Sequence, residues 1–260
     1  MQAPVLVFAS LLLGLFAPSA EAIRNNIIDN SRTGVVTVWT ASDQFCTGTL
    51  VATRSVLTSA SCAMQSAPGL PTVRFGVASR SPKAVVGVAS VLVHPDYDPV
   101  SRTRDVAVLH LAGSPPDGTT IHPWLADGDG GELAEGMTCF AVGYGLDARP
   151  VPADGQRLQG ILETGAIGDD SFPALAPIDD LGHPCGDGDL GAPALDVDSP
   201  GTVIGLFRIG NEACTESRFQ RVDVEAAFIT GALAAPEPVA GAAGVAILTL
   251  AVLARSRGRS

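Results

Sequence analysis

The run Cys46-Thr47-Gly48-Thr49-Leu50-Val51, continued by Val56-Leu57-Thr58-Ser59-Ala60-Ser61-Cys62, sets two short β-type stretches, 49–53 and 56–59, on either side of the polar pair Arg54-Ser55. Short runs rich in Val, Leu and Thr and bounded by turn residues read as strands. The same pattern extends outward on both sides, over 35–39, 72–77, 84–93 and 106–111, then over 138–142, 158–164, 192–197, 202–208 and 219–222. Asp198-Ser199-Pro200-Gly201 reads as a hairpin turn, and residues 224–233 are the one helical stretch near the end of the body. Many short strands without long helices between them imply a barrel or sandwich rather than a parallel α/β sheet. The Pro- and Gly-rich stretch 112–124 marks a seam between two halves.

The composition narrows the function. The chain has 260 residues, 27 acidic against 16 basic, and a formal charge of −11. A phosphate backbone needs a clustered positive footprint, and the body has no Lys/Arg run, so nucleic acid is excluded as a partner. Residues 4–16 are apolar and lead into Ala17-Pro18-Ser19-Ala20-Glu21-Ala22. That ending reads as a secretory signal over 1–22, with a mature chain starting at Ile23; a buried N-terminal helix is the alternative. Residues 239–254 are again apolar and Arg255, Arg257 and Arg259 follow. The stretch is a little shorter than the about 20 residues of a usual span, and the arginines would stay on the cytoplasmic side. With Pro236-Glu237-Pro238 before it, the segment 236–260 resembles the PEP-CTERM sorting signal of bacterial surface proteins, which exosortase-type enzymes process. A plain membrane anchor is the other reading. Both put the body outside the inner membrane, at the cell surface or beyond, with a sorting enzyme and the membrane as partners of the tail.

Five segments of the body, in order, resemble the trypsin-like, chymotrypsin-fold (S1-type, PA-clan) serine protease family. The run from Cys46 to Cys62 looks like the strand and loop around the catalytic histidine, with Ser61 at the histidine position. His94-Pro95-Asp96-Tyr97 and Asp105-Val106-Ala107-Val108-Leu109 resemble the segment bearing the catalytic aspartate, and Asp105 fits that role. Cys139-Phe140-Ala141-Val142-Gly143-Tyr144-Gly145 is similar to the strand that opens the second barrel. Cys185-Gly186-Asp187-Gly188-Asp189-Leu190-Gly191-Ala192-Pro193 resembles the nucleophile loop, with Leu190 in place of the serine. The stretch 203–210, Cys214 and Phe219-Gln220-Arg221-Val222 look like the strand lining the substrate cleft and the run into the terminal helix.

The resemblance implies an all-β protein of two six-stranded antiparallel β-barrels with a short C-terminal helix. Barrel one would cover about 23–115, barrel two about 120–222 and the helix about 223–233, within a protease-like domain of 23–235. It also implies a degenerate site. Acyl transfer on this template needs a hydroxyl to attack, an imidazole to shuttle its proton, and a carboxylate to hold the imidazole. Leu190 offers no nucleophile and Ser61 no base near neutral pH, which leaves Asp105 as a carboxylate without an imidazole to orient. Gly188 and the Leu190 amide match the oxyanion donors, in a loop one residue longer than the commonest pattern. His183, Arg208 and Gly210 fall at the specificity pocket. Asp189 matches the carboxylate that pairs with a new α-amino group, which Ile23 would supply. Disulfides are implied for Cys46 with Cys62 and for Cys185 with Cys214, in keeping with an oxidising compartment. Cys139 is left as a free buried thiol, since the position that would pair with it falls near Asp196.

No cofactor and no metal is expected. Asp127-Gly128-Asp129-Gly130-Gly131-Glu132 has oxygen-rich spacing, but Asp-Gly pairs are ordinary turn formers. His94, His110 and His122 are expected to be structural or surface residues. The chain thus reads as a secreted, surface-sorted, catalytically inactive homologue whose former cleft binds a peptide or protein ligand. A divergent serine-type endopeptidase with a rearranged site and a structural cell-surface component are the alternatives. The binding module calls for an open apolar groove beside Leu190; the structural component does not.

Overall fold

The computed structural model describes residues 27–126, 133–145, 155–175, 184, 186–210 and 216–235. The signal segment with Ile23, the Asp127–Glu132 loop, His183, Cys185, Cys214 and the 236–260 tail lie outside the described residues. Among the described residues, thirteen strands run in order as β1 (Ile27–Ile28), β2 (Val35–Trp39), β3 (Phe45–Ala52), β4 (Ser55–Thr58), β5 (Thr72–Phe75), β6 (Ala84–Val93), β7 (Ala107–Leu111), β8 (Thr138–Gly143), β9 (Leu158–Thr164), β10 (Ser171–Leu175), β11 (Pro193–Asp196), β12 (Val203–Gly210) and β13 (Ser217–Arg221). Two short helices, α1 (Ala60–Met64) and α2 (Ala226–Leu233), accompany them.

Strands β2-β3-β4-β7-β6-β5 close into the first six-stranded antiparallel barrel. The second is the ring β8-β9-β10-β13-β12-β11, closed by the β8–β9 pairing, and β1 crosses over to lie on the outer edge of β9. The alternation expected of a half-buried strand is plain in β9, where Leu158, Gly160, Leu162 and Thr164 point inward and Ile161 and Glu163 outward. β7 is buried on both faces, because α2 packs back over it and the carbonyl of Ala232 accepts a hydrogen bond from His110 Nε2 at 3.0 Å. β10 is a strand that the sequence pattern did not disclose. Pro173 interrupts its run, and the sheet tolerates it because its missing N–H faces the turn after β9, where its carbonyl accepts from Gly165. β1 is only two residues long and α1 only five, too short to show a period.

The Cys46–Cys62 disulfide is present, joining β3 to α1 across 16 residues with a Cα–Cα distance of 6.1 Å. Cys139 is free and buried, and Asp196 is its register partner on β11. Burial pushes its thiol up to about 12, with the Asp196 charge adding to the effect. Among the described residues no helix is long and apolar enough to cross a membrane, and no three His, Cys, Asp or Glu gather as a metal-holding group.

Candidate functional site

The pairing of β4 with β7 sets Thr58 opposite Ala107. The residues just past each strand end, Ser59 to Ser61 and Asp105, are therefore brought together by register alone. Ser59 caps α1, its hydroxyl accepting from the Cys62 amide at 3.2 Å. This places Ser61 in the first turn, facing Asp105. The Asp105 carboxylate is wholly buried, accepting from the Ser61 amide at 2.7 Å on Oδ1 and from the Ser61 hydroxyl at 2.9 Å on Oδ2. Burial pushes this carboxyl above its ordinary value, opposed by the two Ser61 hydrogen bonds and the Arg102 and Arg208 charges. The phenol of Tyr97 lies close by, raised by its own burial and then by the Asp105 charge.

Across the junction between barrels, the 3-10 turn Asp187–Asp189 leads into Leu190. Two hydrogen bonds seat this loop on Thr47 of the first barrel, and a third ties Tyr144, just past β8, to the same residue. The Thr47 amide donates to the Leu190 carbonyl at 2.9 Å, the Thr47 hydroxyl donates to the Gly188 carbonyl at 2.8 Å, and the Tyr144 amide donates back to the Thr47 hydroxyl at 3.2 Å. Gly191 follows at φ +78°, and a Cβ there would meet Thr58 Oγ1 at 2.4 Å and the Thr47 carbonyl at 2.5 Å, so the close approach admits glycine alone. Leu190 itself is 3% exposed and belongs to the core. Its side chain is packed inward as part of the core. Asp189 is fully buried, and its Oδ1 accepts from the Gly145 amide at 2.8 Å. Its proposed partner Ile23 and the Cys185–Cys214 bond lie outside the described residues, as does His183.

Strand β12 carries a charge network through Arg208. Arg208 donates to Asp170 Oδ2 at 2.8 Å, to Gln220 Oε1 at 3.3 Å and to Ser171 Oγ at 3.3 Å. Asp170 is drawn below the usual carboxylate value, burial being outweighed by Arg208 and Ser171. Gly210 continues β12 opposite Ser217. From the loop before Asp105, Arg102 donates to the Arg208 carbonyl at 2.9 Å, and Arg104 donates to the buried Glu225 at 2.9 Å. Glu225 also accepts from Gln220 Nε2 at 3.0 Å and lies 3.2 Å from His94 Nε2. Arg102 and Arg104 both adopt positive φ, 54° and 55°, which non-glycine residues hold only when surrounding contacts impose it. Sequence patterns gave no sign of Arg102 or Glu225, because Arg208 and Arg104, which meet them, stand more than a hundred residues away.

Each histidine within the described residues is engaged elsewhere. His94 Nδ1 accepts from the Asp96 amide and its ring packs on Phe228 at 4.8 Å. His110 joins Ser55 to Ala232, and His122 Nδ1 donates to the Gly201 carbonyl at 3.0 Å. Burial pushes His122 below its ordinary value, which favours the neutral ring. None of the three is a hydrogen-bond partner of Asp105, whose carboxylate is met by Ser61.

The family model described as Trypsin matches residues 26–227. The chain belongs to the trypsin family. Among its relatives, granzyme C of Mus musculus is 28% identical over 151 residues, 55% of this chain and 59% of that protein. The chain thus spans about three-fifths of that relative. A protein named inactive serine protease scarface, of Drosophila melanogaster, is 30% identical over 121 residues, 42% of this chain and 17% of that protein. Among solved structures, human heparin binding protein superposes with a TM-score of 0.69 at 20% identity, covering 83% of this chain and 99% of that one. At that identity the likeness is one of fold. The relatives of this chain thus include at least one named inactive.

Proposed function

We propose that this trypsin-family chain is an exported, surface-sorted, non-catalytic homologue that acts as a binding or interaction module. The observation that carries the reading is the double occupation of Asp105 by Ser61, where an imidazole would otherwise stand. A carboxylate, even one raised by burial, is far too weak a base to take a serine proton unaided, and Leu190, which corresponds to the nucleophile by resemblance, offers only an apolar isobutyl group. In a comparable serine protease, loss of one such member lowers turnover by about a millionfold. Here both are replaced.

The interaction surface is the rim of the former cleft rather than its floor. Val100 is 92% exposed and Ile209 is 44% exposed, on a loop and a strand tied together by Arg102 and the Arg208 carbonyl. Apolar side chains left in water at such a junction suit a peptide or protein partner. A polyanion such as the heparin in the name of one structural neighbour does not suit a chain of −11 charge. The burial of Leu190 equally suits a structural component of the cell surface, which needs no ligand in the cleft. Two measurements test the proposal. Purified protein incubated with a broad fluorogenic peptide library should release no fluorophore above the rate of a Ser61→Ala variant; turnover that this variant abolishes would establish a divergent endopeptidase instead. Fractionation of producing cells should find the full chain at the envelope and a chain ending at residue 235 released, whereas equal retention of both would remove the sorting role of the tail.

A further inference from the structure

From Gln44 to Pro95 the sequence holds no Asp or Glu, although the chain carries 27 acidic residues, and the same stretch contains Arg54, Arg74, Arg80 and Lys83. Arg54 is engaged, donating to the Leu111 carbonyl at 3.1 Å. The other three gather on the outer wall of the first barrel, where β2, β5 and β6 lie side by side. Val73 and Phe75 are buried in the barrel, so Arg74 between them points out. Its guanidinium lies 3.6 Å from the centroid of the Trp39 ring, that of Arg80 lies 5.9 Å from it, and Phe45 stacks on the same indole at 5.1 Å. Lys83 sits in the β5–β6 hairpin, its amide donating to the Phe75 carbonyl at 2.7 Å. Register sets Val85 directly opposite Arg74, and Val85 is 55% exposed. None of the three cationic side chains has a hydrogen-bond or ion-pair partner among the described residues, and even Arg74 Nε, closed off from water, lacks an acceptor. Asp43, in the turn between Trp39 and Phe45, pairs with none of them.

The chemistry of the wall selects its partner. A guanidinium stacked on an indole spends its face on the ring and still presents the N–H donors of its edge. A carboxylate is the matching acceptor, because the guanidinium fork meets both of its oxygens at once. Three cations without a counter-charge form a positive island on a chain of −11, and opposite charge is drawn to such an island. They are too few to hold a long polyanion against the repulsion of the remaining surface. Val85 adds an exposed apolar contact beside Arg74, which a free anion would not use and an apolar side chain would. We propose that this wall docks an acidic segment of a partner protein, its carboxylates on Arg74 and Arg80 and a neighbouring apolar side chain against Val85. None of Val100, Ile209, Ser61 and Leu190 takes part, so the proposal stands or falls apart from the reading of the cleft.

The probe is a capped peptide Glu-Glu-Leu-Glu-Glu, with Gln-Gln-Leu-Gln-Gln as its uncharged counterpart, titrated into the full chain and followed through amide and indole N–H shifts. The acidic peptide should saturate and move the Trp39 indole and the Arg74 and Val85 amides. The Gln peptide should bind at least about tenfold more weakly, the loss expected when hydrogen bonds to charged groups are removed. Arg74→Gln should weaken the acidic peptide by at least about tenfold, and Arg74→Lys should recover only part of this, since an ammonium has the charge without the fork. Arg74 also covers Trp39, so a folding defect in its variants is possible on structural grounds, and the exposed Arg80→Gln provides the second test. That variant should melt as the natural protein does and bind about threefold more weakly, as expected for one exposed charge. Absence of binding at millimolar concentration, shifts confined to another region, equal affinity for the Gln peptide, or indifference to Arg80→Gln would each overturn the proposal. So would citrate matching the peptide, which would reduce the wall to a free-anion site, or a heparin fragment binding there more tightly than the peptide.

Discussion

Ser61 and Asp105 could be read from local sequence because each sits in a short run whose neighbours pattern the strand ends, and β4–β7 register does the rest. The fate of Leu190 could not, since its burial depends on Thr47, which meets it only through folding. If Leu190 is packing, Leu190→Ala should cost about 2–4 kcal/mol in urea unfolding, the loss expected for a buried leucine. A cost near zero would mean that the side chain is free in a cleft. Asp105 makes a second test. Its folded-state value is raised above 3.8, so the folded chain holds its proton more tightly than the unfolded chain does. The ionised form therefore weakens stability as pH rises through the folded value, and the penalty vanishes below the unfolded one. Asp105→Asn should accordingly melt higher than the natural protein at pH 7, with the advantage fading as pH falls below about 3.8. An advantage that stays constant from pH 7 to pH 3 would contradict the role given to burial.

Among elements, α2 shows what period and composition reveal and what they omit. The helical pattern over 224–233 marked its existence, and the observed helix covers Ala226–Leu233. What anchors it was hidden, because Glu225, 1% exposed at its start, finds Arg104 in a loop of the first barrel. Arg104 has a side chain 42% exposed and can turn to water when Glu225 is removed, but Gln220 Nε2, buried, loses an acceptor. Glu225→Ala should therefore cost about 1–3 kcal/mol. It should also speed amide exchange across 226–233 before the barrels open; exchange unchanged in that helix would show that its apolar face holds it unaided. Reduction of the Cys46–Cys62 bond should remove about 3 kcal/mol, the entropy of a closed loop of about 15 residues. Full stability in reductant would mean that β3 and α1 are held by packing alone.

For the molecule as a whole, the two-barrel architecture was legible because nearly every strand announces itself by composition and the spacing between them admits no long helix. β10 escaped through Pro173, and the buried contacts between Arg157 and Asp29 escaped because 128 residues separate them. The same architecture that positions a protease site here holds a carboxylate met by serine and a leucine folded into the core. The central claim is that this trypsin-family scaffold persists without its chemistry, and a serine-directed fluorophosphonate probe tests it most directly. Applied to the natural protein beside a Ser61→His/Leu190→Ser double variant, it should leave the first unlabelled and label the second at residue 190. Labelling of the natural protein, at Ser61 or any other hydroxyl, would contradict the account and identify an active nucleophile.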